Sequence, residues 1–453
     1  MSLGVVILAA GQGTRMRSAL PKVLHELAGR PLVQHVITTC QALEPAQICI
    51  VVGHGADRVR EKISGRYDWV VQHQQLGTGH ALQQAMPTLK TERVLVVYGD
   101  VPLLQASTLK PLIDSVRPGS LALLTVDLDD PHGYGRIERD AVGAVRRIVE
   151  EKDASPEIKA IKEGNTGVMC AYRNDFERWL GRLENRNAQG EYYLTDCVEH
   201  CLSDHGLVLA TKAGTEIEVS GVNTKQHLER LERAFQLKQA DALLDRAVGL
   251  ADRTRIDIRG ELSAGQDIFI DINCVFEGNV YLGDGVRIGP NCYLKDTRLA
   301  NEVQVLANTM IEQATIGESA IVGPFARIRP GTELASGVKV GNFVEIKKSA
   351  IGRNSKVNHL SYVGDASIGE HVNVGAGTIT CNYDGANKHR TVVEDHVFVG
   401  SNTALVAPVR LGTGATIGAG SVVTKDAPAH KLTVARGRQT TIERWERPVK
   451  RKG

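Results

Sequence analysis

The chain has 453 residues with 54 Lys and Arg against 52 Asp and Glu, a balance that excludes the basic excess of a nucleic-acid binder. Apolar residues make up 42% and aromatics only 4%, so cores must be built from Val, Ile, Leu and Ala; wholesale disorder is excluded, and with only 15 prolines among 46 glycines so is collagen. The eight cysteines form no CxxC pair, and the longest early apolar run, 5–10, is too short for a signal or membrane segment, so a cytoplasmic chain with reduced thiols is expected.

The first half alternates short β-rich runs at 5–8, 48–52, 94–97 and 121–126 with helical segments such as 32–43. That alternation predicts an α/β doubly wound domain over 1–225 around a largely parallel sheet, with ligands at the carboxyl ends of its strands. After the first run comes Leu8-Ala9-Ala10-Gly11-Gln12-Gly13-Thr14-Arg15-Met16. Its glycines let backbone N–H groups approach a phosphate. It is neither a Walker loop nor the dinucleotide fingerprint, since Met16 stands at the third glycine position. Arg15 and Lys22 add two cations, and Asp100 follows the third run. Over 226–248 the spacing of Leu228, Leu231, Phe235, Leu237, Ala240, Leu243 and Leu244 predicts one amphipathic linker helix, and Asn223 stands where its N-cap could fall.

The period then changes to six. Ile258, Ala264, Ile270, Phe276, Leu282, Ile288 and Leu294 begin a register that resumes, after short steps, through Leu299, Ile316, Ile351, Ile368 and Val393 to Val423. Sustained hexads predict a parallel β-helix over 249–436 with three hexads per coil and about nine coils. A sandwich, with turns every ~8–12 residues, does not fit that spacing. Twelve glycines immediately follow an anchor, from Gly283 to Gly418, where a tight corner is expected to need a residue without Cβ. One polar stretch, Thr380 to Lys388, is too long for a coil edge and points to a second site. A basic tail, 437–453, closes the chain, with five Lys or Arg in 444–452.

The first half resembles the sugar-1-phosphate nucleotidylyltransferases. The resemblance rests on the glycine loop, Leu20-Pro21-Lys22, Gln75-Leu76-Gly77-Thr78-Gly79-His80, Tyr98-Gly99-Asp100-Val101-Pro102, Gly133-Tyr134-Gly135-Arg136-Ile137, Glu150-Glu151-Lys152-Asp153, Asn165-Thr166-Gly167, Gly190 to Asp196 and Val222-Asn223. It implies attack of a sugar-1-phosphate oxygen on the α-phosphorus of UTP, with pyrophosphate leaving. By this resemblance Leu8, Ala9, Ala10, Gly11, Gln72, Gly77 and Thr78 hold uracil and ribose, and Gly135, Glu150 and Asn165 hold the sugar. Tyr98 and Gly99 also face the sugar nucleotide. Asp100 and Asn223 hold Mg²⁺, and Arg15 and Lys22 offset the developing phosphate charge.

The second half is similar to the hexapeptide acyltransferases. Here the residues are Arg327-Ile328-Arg329-Pro330-Gly331, Val340 to Lys348, His359-Leu360-Ser361-Tyr362-Val363-Gly364-Asp365, Asn373-Val374-Gly375-Ala376-Gly377 and the loop from Asn382 to Lys388. Together the halves resemble, nearly end to end, the bacterial bifunctional N-acetylglucosamine-1-phosphate uridylyltransferase/glucosamine-1-phosphate N-acetyltransferase family. The resemblance implies a left-handed β-helix and a homotrimer with acetyltransferase sites shared between chains. His359 would be the general base for direct attack on acetyl-CoA. Arg329 and Lys347 would grip the sugar phosphate, Tyr362 and Asn373 would position the sugar, and the Ala376 N–H would serve the oxyanion. Ser401, Ala419 and Arg436, with Asn382 and Tyr383 of a neighbouring chain, would contact acetyl-CoA. Two departures stand out: Asn358 precedes the histidine where glycine is common, and Gly164 precedes Asn165 where an apolar residue is common. A monofunctional pyrophosphorylase with a structural solenoid and a non-catalytic scaffold are the alternatives. The Asp100, Lys22 and Arg15 set argues against the scaffold, and the loop near His359 against an inert solenoid. The partners implied are small molecules, with no nucleic acid and no membrane.

Overall fold

The structure, a computed structural model, describes residues 2–448 and 450. The end of the expected basic tail, at 449 and 451–453, lies outside the described residues. The chain divides into two compact units, Met1–Phe235 and Gln236–Gly453.

The first unit is built on a nine-stranded sheet. The strands are β1 (Leu3–Ala9), β2 (Gln47–Val52), β3 (Asp68–Val71), β4 (Arg93–Tyr98), β5 (Ser120–Asp127), β6 (Arg136–Arg139), β7 (Val145–Val149), β8 (Glu163–Tyr172) and β9 (Leu207–Lys212). The main path runs β9-β5-β8-β4-β1-β2-β3, with β6 and β7 as a side hairpin. All seven residues of β1 are buried, as in a strand covered on both faces. Val5 and Ile7 pack with Val33, Val36 and Ile37 of helix α1 (Leu32–Gln41); Val6 and Leu8 pack on the other side with Ala81 and Leu82 of helix α2 (Thr78–Ala85).

The main path is largely parallel, as expected, with a single reversed strand. Strand β8 runs antiparallel to both β4 and β5. Between β5 and β8 the chain makes only the β6–β7 hairpin and a four-residue helix, Pro156–Lys159, so it returns beside β5 without a crossover helix. A register break in β8 between Asn165 and Met169 lifts Thr166 to Val168 out of the ladder to β5, just beyond the paired Asn165.

The predicted linker helix is found as α3 (Lys225–Leu244), four residues shorter at its end than the period suggests. It stops in a Schellman turn: Val248 N–H donates to the Leu243 carbonyl at 3.0 Å and Ala247 N–H to the Leu244 carbonyl at 2.9 Å. Ala247 takes the left-handed conformation, φ 62°, in the place glycine favours.

In the second unit every rung is parallel and stacks on the next through partners mostly 17 or 18 residues on, such as Ile288 with Val305 and Val322 with Val340. One interval is longer: Val374 pairs with Val399, because the coil between them carries the extruded loop. The hexad anchors from Ile258 to Val423 lie in one continuous core, with Ala264 at its margin. Burying each Val, Leu or Ile contributes about 1.5–3 kcal/mol. A second buried row sits two residues before each anchor and, after the first coil, is made of Val, Ala, Cys, Ser and Thr. Its side chains tie coil to coil: Ser355 Oγ donates to the Gly369 carbonyl at 2.7 Å and accepts from Val372 N–H at 2.9 Å.

The glycines after the anchors serve a different need from a left-handed corner. Most have no positive φ; instead a Cβ there would strike the neighbouring coil, at 2.4 Å from the backbone of Gly369 for Gly352 and 2.0 Å from the Asn358 carbonyl for Gly341. The left-handed corner falls two residues later, and much of it is filled by non-glycine residues such as Asn354, His371 and Asn402.

Candidate active sites

In the first unit the loop after β1 folds back over Lys22. Gly13 is left-handed, and a Cβ on it would sit 2.6 Å from the Lys22 Cβ. At Gly11 the equivalent space is open. The Lys22 ammonium makes a very short ion pair with the Asp100 carboxylate and lies 3.2 Å from Asn223 Oδ1, which also accepts from Arg15 Nη2 at 3.1 Å. Asn223 reaches this point because the preceding Val222 N–H donates to the Asp100 carbonyl at 2.9 Å. It is not the helix cap: Thr224 Oγ1 accepts from His227 N–H, leaving the Asn223 side chain to the cations.

Two adjoining cavities open around this cluster. One, of about 340 Å³, is lined by Leu8, Ala9, Ala10, Gly11, Lys22, Gln72 and Gly77. The other, of about 730 Å³, is lined by Arg15, Gly135, Glu150, Asn165 and Asn223. Thr78, Tyr98, Asp100 and Glu191 line both. Gly99 lies beneath the floor, where a Cβ would press on Ala9, Val23 and Val33. Gln72 is buried, its amide donating to the Gly77 carbonyl at 3.0 Å and meeting His80 Nδ1. Burial raises both the Tyr98 phenol and the Glu150 carboxyl above their usual ranges, although Thr195 Oγ1 donates to Glu150 at 3.2 Å. Sequence reasoning assigned no role to Glu191 and Thr195, which lie in a quoted motif, or to Arg136, which is buried and paired with Glu151 at 2.7 Å. Gly164, one of the two departures, is explained by packing: a Cβ there would meet Leu128 Cδ1 at 2.4 Å.

In the second unit four of the expected acetyltransferase residues, His359, Ala376, Ser401 and Ala419, form a column with Asn342. Asn342, His359, Ala376, Ser401 and Ala419 each stand two residues after an anchor on successive coils of one face. The residue following each one donates its N–H to the carbonyl of the column residue one coil back: Leu360 to Asn342, Gly377 to His359, Asn402 to Ala376 and Gly420 to Ser401. The column's own N–H groups at Ala376, Ser401 and Ala419 donate to no carbonyl among the described residues. The Ala419 carbonyl accepts from Arg436 Nη1 at 2.8 Å. Asn358, the second departure, occupies the place filled by Gly341, Gly375 and Gly400 on other coils of this face.

On the next face Arg329 and Lys347 follow paired anchors, Ile328 and Ile346, and so stand on adjacent rungs. Arg329 is paired with Glu345 at 2.7 Å. The Lys388 ammonium, projecting from the extruded loop, pushes Lys347 below the usual lysine range, with Arg329 adding to the effect. Three cations gathered this closely, with Glu345 and Asp365 as the acids beside them, favour an anion, and Lys388 is a member that sequence reasoning left unassigned. Tyr362 lines a groove of about 410 Å³ with Phe325, Phe343 and Leu360. Asn373 stands on the rung between Lys356 and Phe398. Asn382 is buried, its amide donating to Asp365 Oδ2 at 2.5 Å, whereas Tyr383 is exposed and donates only to the Gly385 carbonyl of its own loop.

An α/β cavity with a phosphate loop, joined in one chain to a hexapeptide solenoid, defines a nucleotidyltransferase carrying a second transferase unit. Comparison with known proteins agrees. The MobA-like NTP transferase domain matches residues 5–179, the GMPPB C-terminal domain matches 258–342 and the hexapeptide repeat of succinyl-transferase matches 390–425. Bifunctional protein GlmU of Stutzerimonas stutzeri is 55% identical over 100% of both chains. That of Bordetella petrii is 56% identical over 99% of this chain and 100% of its own. A UDP-glucose pyrophosphorylase solved with UDP-glucose is 16% identical, covering 52% of this chain and 100% of its own with a TM-score of 0.45. The chain belongs to the GlmU family. It is a bifunctional enzyme of UDP-N-acetylglucosamine biosynthesis, an acetyltransferase and a uridylyltransferase in one polypeptide.

Proposed function

We propose that the first unit performs uridylyl transfer and the second acetyl transfer, so that glucosamine-1-phosphate is acetylated before it receives the uridylyl group. The observation that carries the first assignment is the meeting of Asp100 and Asn223 oxygens on the Lys22 ammonium. A cation already stands where two oxygen ligands converge, and one carboxylate plus one amide oxygen suits Mg²⁺ better than a soft metal. No group of three or more His, Cys, Asp and Glu that could hold a metal occurs among the described residues. Mg²⁺ held by Asp100 and Asn223 would neutralise triphosphate charge. Lys22 and Arg15 then face the α-phosphate and the leaving pyrophosphate as the sugar-phosphate oxygen forms the new P–O bond and the α–β bridge breaks. The smaller cavity takes uracil and ribose and the larger the N-acetylated sugar.

For acetyl transfer, the amine of glucosamine-1-phosphate attacks the thioester carbonyl, His359 takes the amine proton, and CoA leaves. The free N–H of Ala376, one coil beyond, receives the oxyanion. Lys347, Lys388 and Arg329 hold the sugar phosphate, Tyr362 and Asn373 orient the sugar, and Ser401, Ala419 and Arg436 hold the cofactor. Phe325, Phe343 and Leu360 expose 50%, 57% and 63% of their surface on successive corners, with the two rings stacked at 5.4 Å. Such an apolar ladder supports a homotrimer in which the neighbour's Asn382 and Tyr383 loop completes each acetyltransferase site. All eight cysteines are free, and no described helix is long and apolar enough to cross a membrane, which supports a cytoplasmic setting.

The test supplies glucosamine-1-phosphate, acetyl-CoA, UTP and Mg²⁺ and follows CoA and pyrophosphate separately. His359→Ala should lose CoA release while still releasing pyrophosphate from supplied N-acetylglucosamine-1-phosphate. Asp100→Ala should do the reverse. Acetylation at the wild-type rate in the first variant, or unchanged pyrophosphate release in the second, overturns the corresponding assignment.

A further inference from the structure

We infer that Asn342 is the positioning residue that holds the imidazole of His359 in its base form, with Nδ1 protonated and Nε2 left open. The inference rests on the reading of His359 as the acetyltransferase base. Asn342 and His359 are direct partners in the ladder, one coil apart. Asn342 Oδ1 lies 2.9 Å from His359 Nδ1. A carboxamide oxygen can only accept, so the ring nitrogen facing it carries the hydrogen and the lone pair is on the other nitrogen. The backbone beneath the ring is fixed as well: the His359 carbonyl accepts from Ser361 Oγ at 2.8 Å and from Gly377 N–H at 3.3 Å. Both the histidine and the asparagine are therefore set by the rungs of the solenoid, although the imidazole itself is exposed.

The choice of an amide has a chemical consequence. The column neighbours on either side of His359 are Asn342 and Ala376, neither of which is charged. An amide orients the ring without favouring the imidazolium, as a carboxylate would. A base that must accept a proton from an amine near neutral pH benefits from orientation without that bias.

The test uses the whole enzyme and measures acetyl transfer across pH for wild type, His359→Ala, Asn342→Ala and Asn342→Asp. Folding is checked by circular dichroism and thermal melting. Asn342→Ala should lower kcat about tenfold to a hundredfold, a part of the ~10²–10⁴ that general-base catalysis supplies, with KM for both substrates near wild type. Asn342→Asp keeps the shape and should recover part of the rate, but with the acid limb of the kcat/KM profile moved to higher pH by about one unit. Superimposable profiles for all forms except an inactive His359→Ala would overturn the role of Asn342 alone. Retained transfer in His359→Ala would overturn the base assignment and this inference with it.

Discussion

Lys22 is the residue on which the nucleotidyltransferase site turns. Its ammonium occupies the point where the Asp100 and Asn223 oxygens meet, and both members of the Lys22–Asp100 ion pair are largely buried. On the proposed reading, in which the same two oxygens take a metal, a lysine so placed would first have to leave and turn toward phosphate. Lys22→Met should therefore bind Mn²⁺ more tightly than wild type in the absence of nucleotide, by about threefold to tenfold for the loss of one competing ion pair. An electron paramagnetic resonance titration of free Mn²⁺ reads this directly, and equal affinity in both proteins would remove Lys22 as the competitor. Uridylyl transfer in the same variant should fall, because the phosphate loses a cation. Most of the residues that line this site were legible in the sequence, because Leu8 to Gly11, Gly77–Thr78 and Tyr98 to Asp100 are short strings at strand ends. The geometry among them was not. Lys22, Asp100 and Asn223 are far apart in the chain and are joined only by the sheet and by the Val222–Asp100 backbone bond. The same limit kept Asn342 and Lys388 out of view, since both act across coils whose register a single sequence does not state.

At the scale of the element, the solenoid depends on two rows at fixed phase: aliphatic anchors pointing inward and glycines over which the next coil passes. The six-residue period made the anchors legible, and with them the fold. The glycine row was legible too, but its cause was not, because a close approach between coils looks in sequence like a need for positive φ. The two causes separate experimentally. At Gly352 no positive φ applies and an added Cβ would stand 2.4 Å from the backbone of Gly369, so Gly352→Ala should destabilise by about 1–3 kcal/mol through overpacking. Gly214 has open space and an ordinary φ, so Gly214→Ala should be neutral or slightly stabilising, by about 0.4–1 kcal/mol, through the unfolded chain. Ile346→Ala, which empties a fully buried anchor between the Arg329 and Tyr362 rungs, should cost about 2–5 kcal/mol. Urea midpoints at constant slope measure all three, and a stable Gly352→Ala would show that the coils can separate without cost.

At the scale of the whole molecule, the proposed acetyltransferase site calls for a loop from a neighbouring chain. His359 stands on a rigid column, but Tyr383 projects from the extruded loop and bonds only to its own turn, while the Phe325–Phe343–Leu360 ladder beside Tyr362 is uncovered. If a neighbour supplies the loop, each site draws its base from one chain and its Tyr383 from another, and two different defects can be complementary. His359→Ala chains and Asn382→Ala/Tyr383→Ala chains should each be nearly inactive in acetyl transfer when assembled alone. Co-expressed in equal amounts and purified as mixed assemblies, they should regain activity in about a quarter of their sites, since only one of the four ordered pairings at a shared site joins an intact base to an intact loop. Sites contained within single chains would regain none, because every chain carries one of the two defects. Pyrophosphate release from N-acetylglucosamine-1-phosphate and UTP should stay at the wild-type level in all three preparations, which separates a failure of the shared site from a failure of the protein to fold.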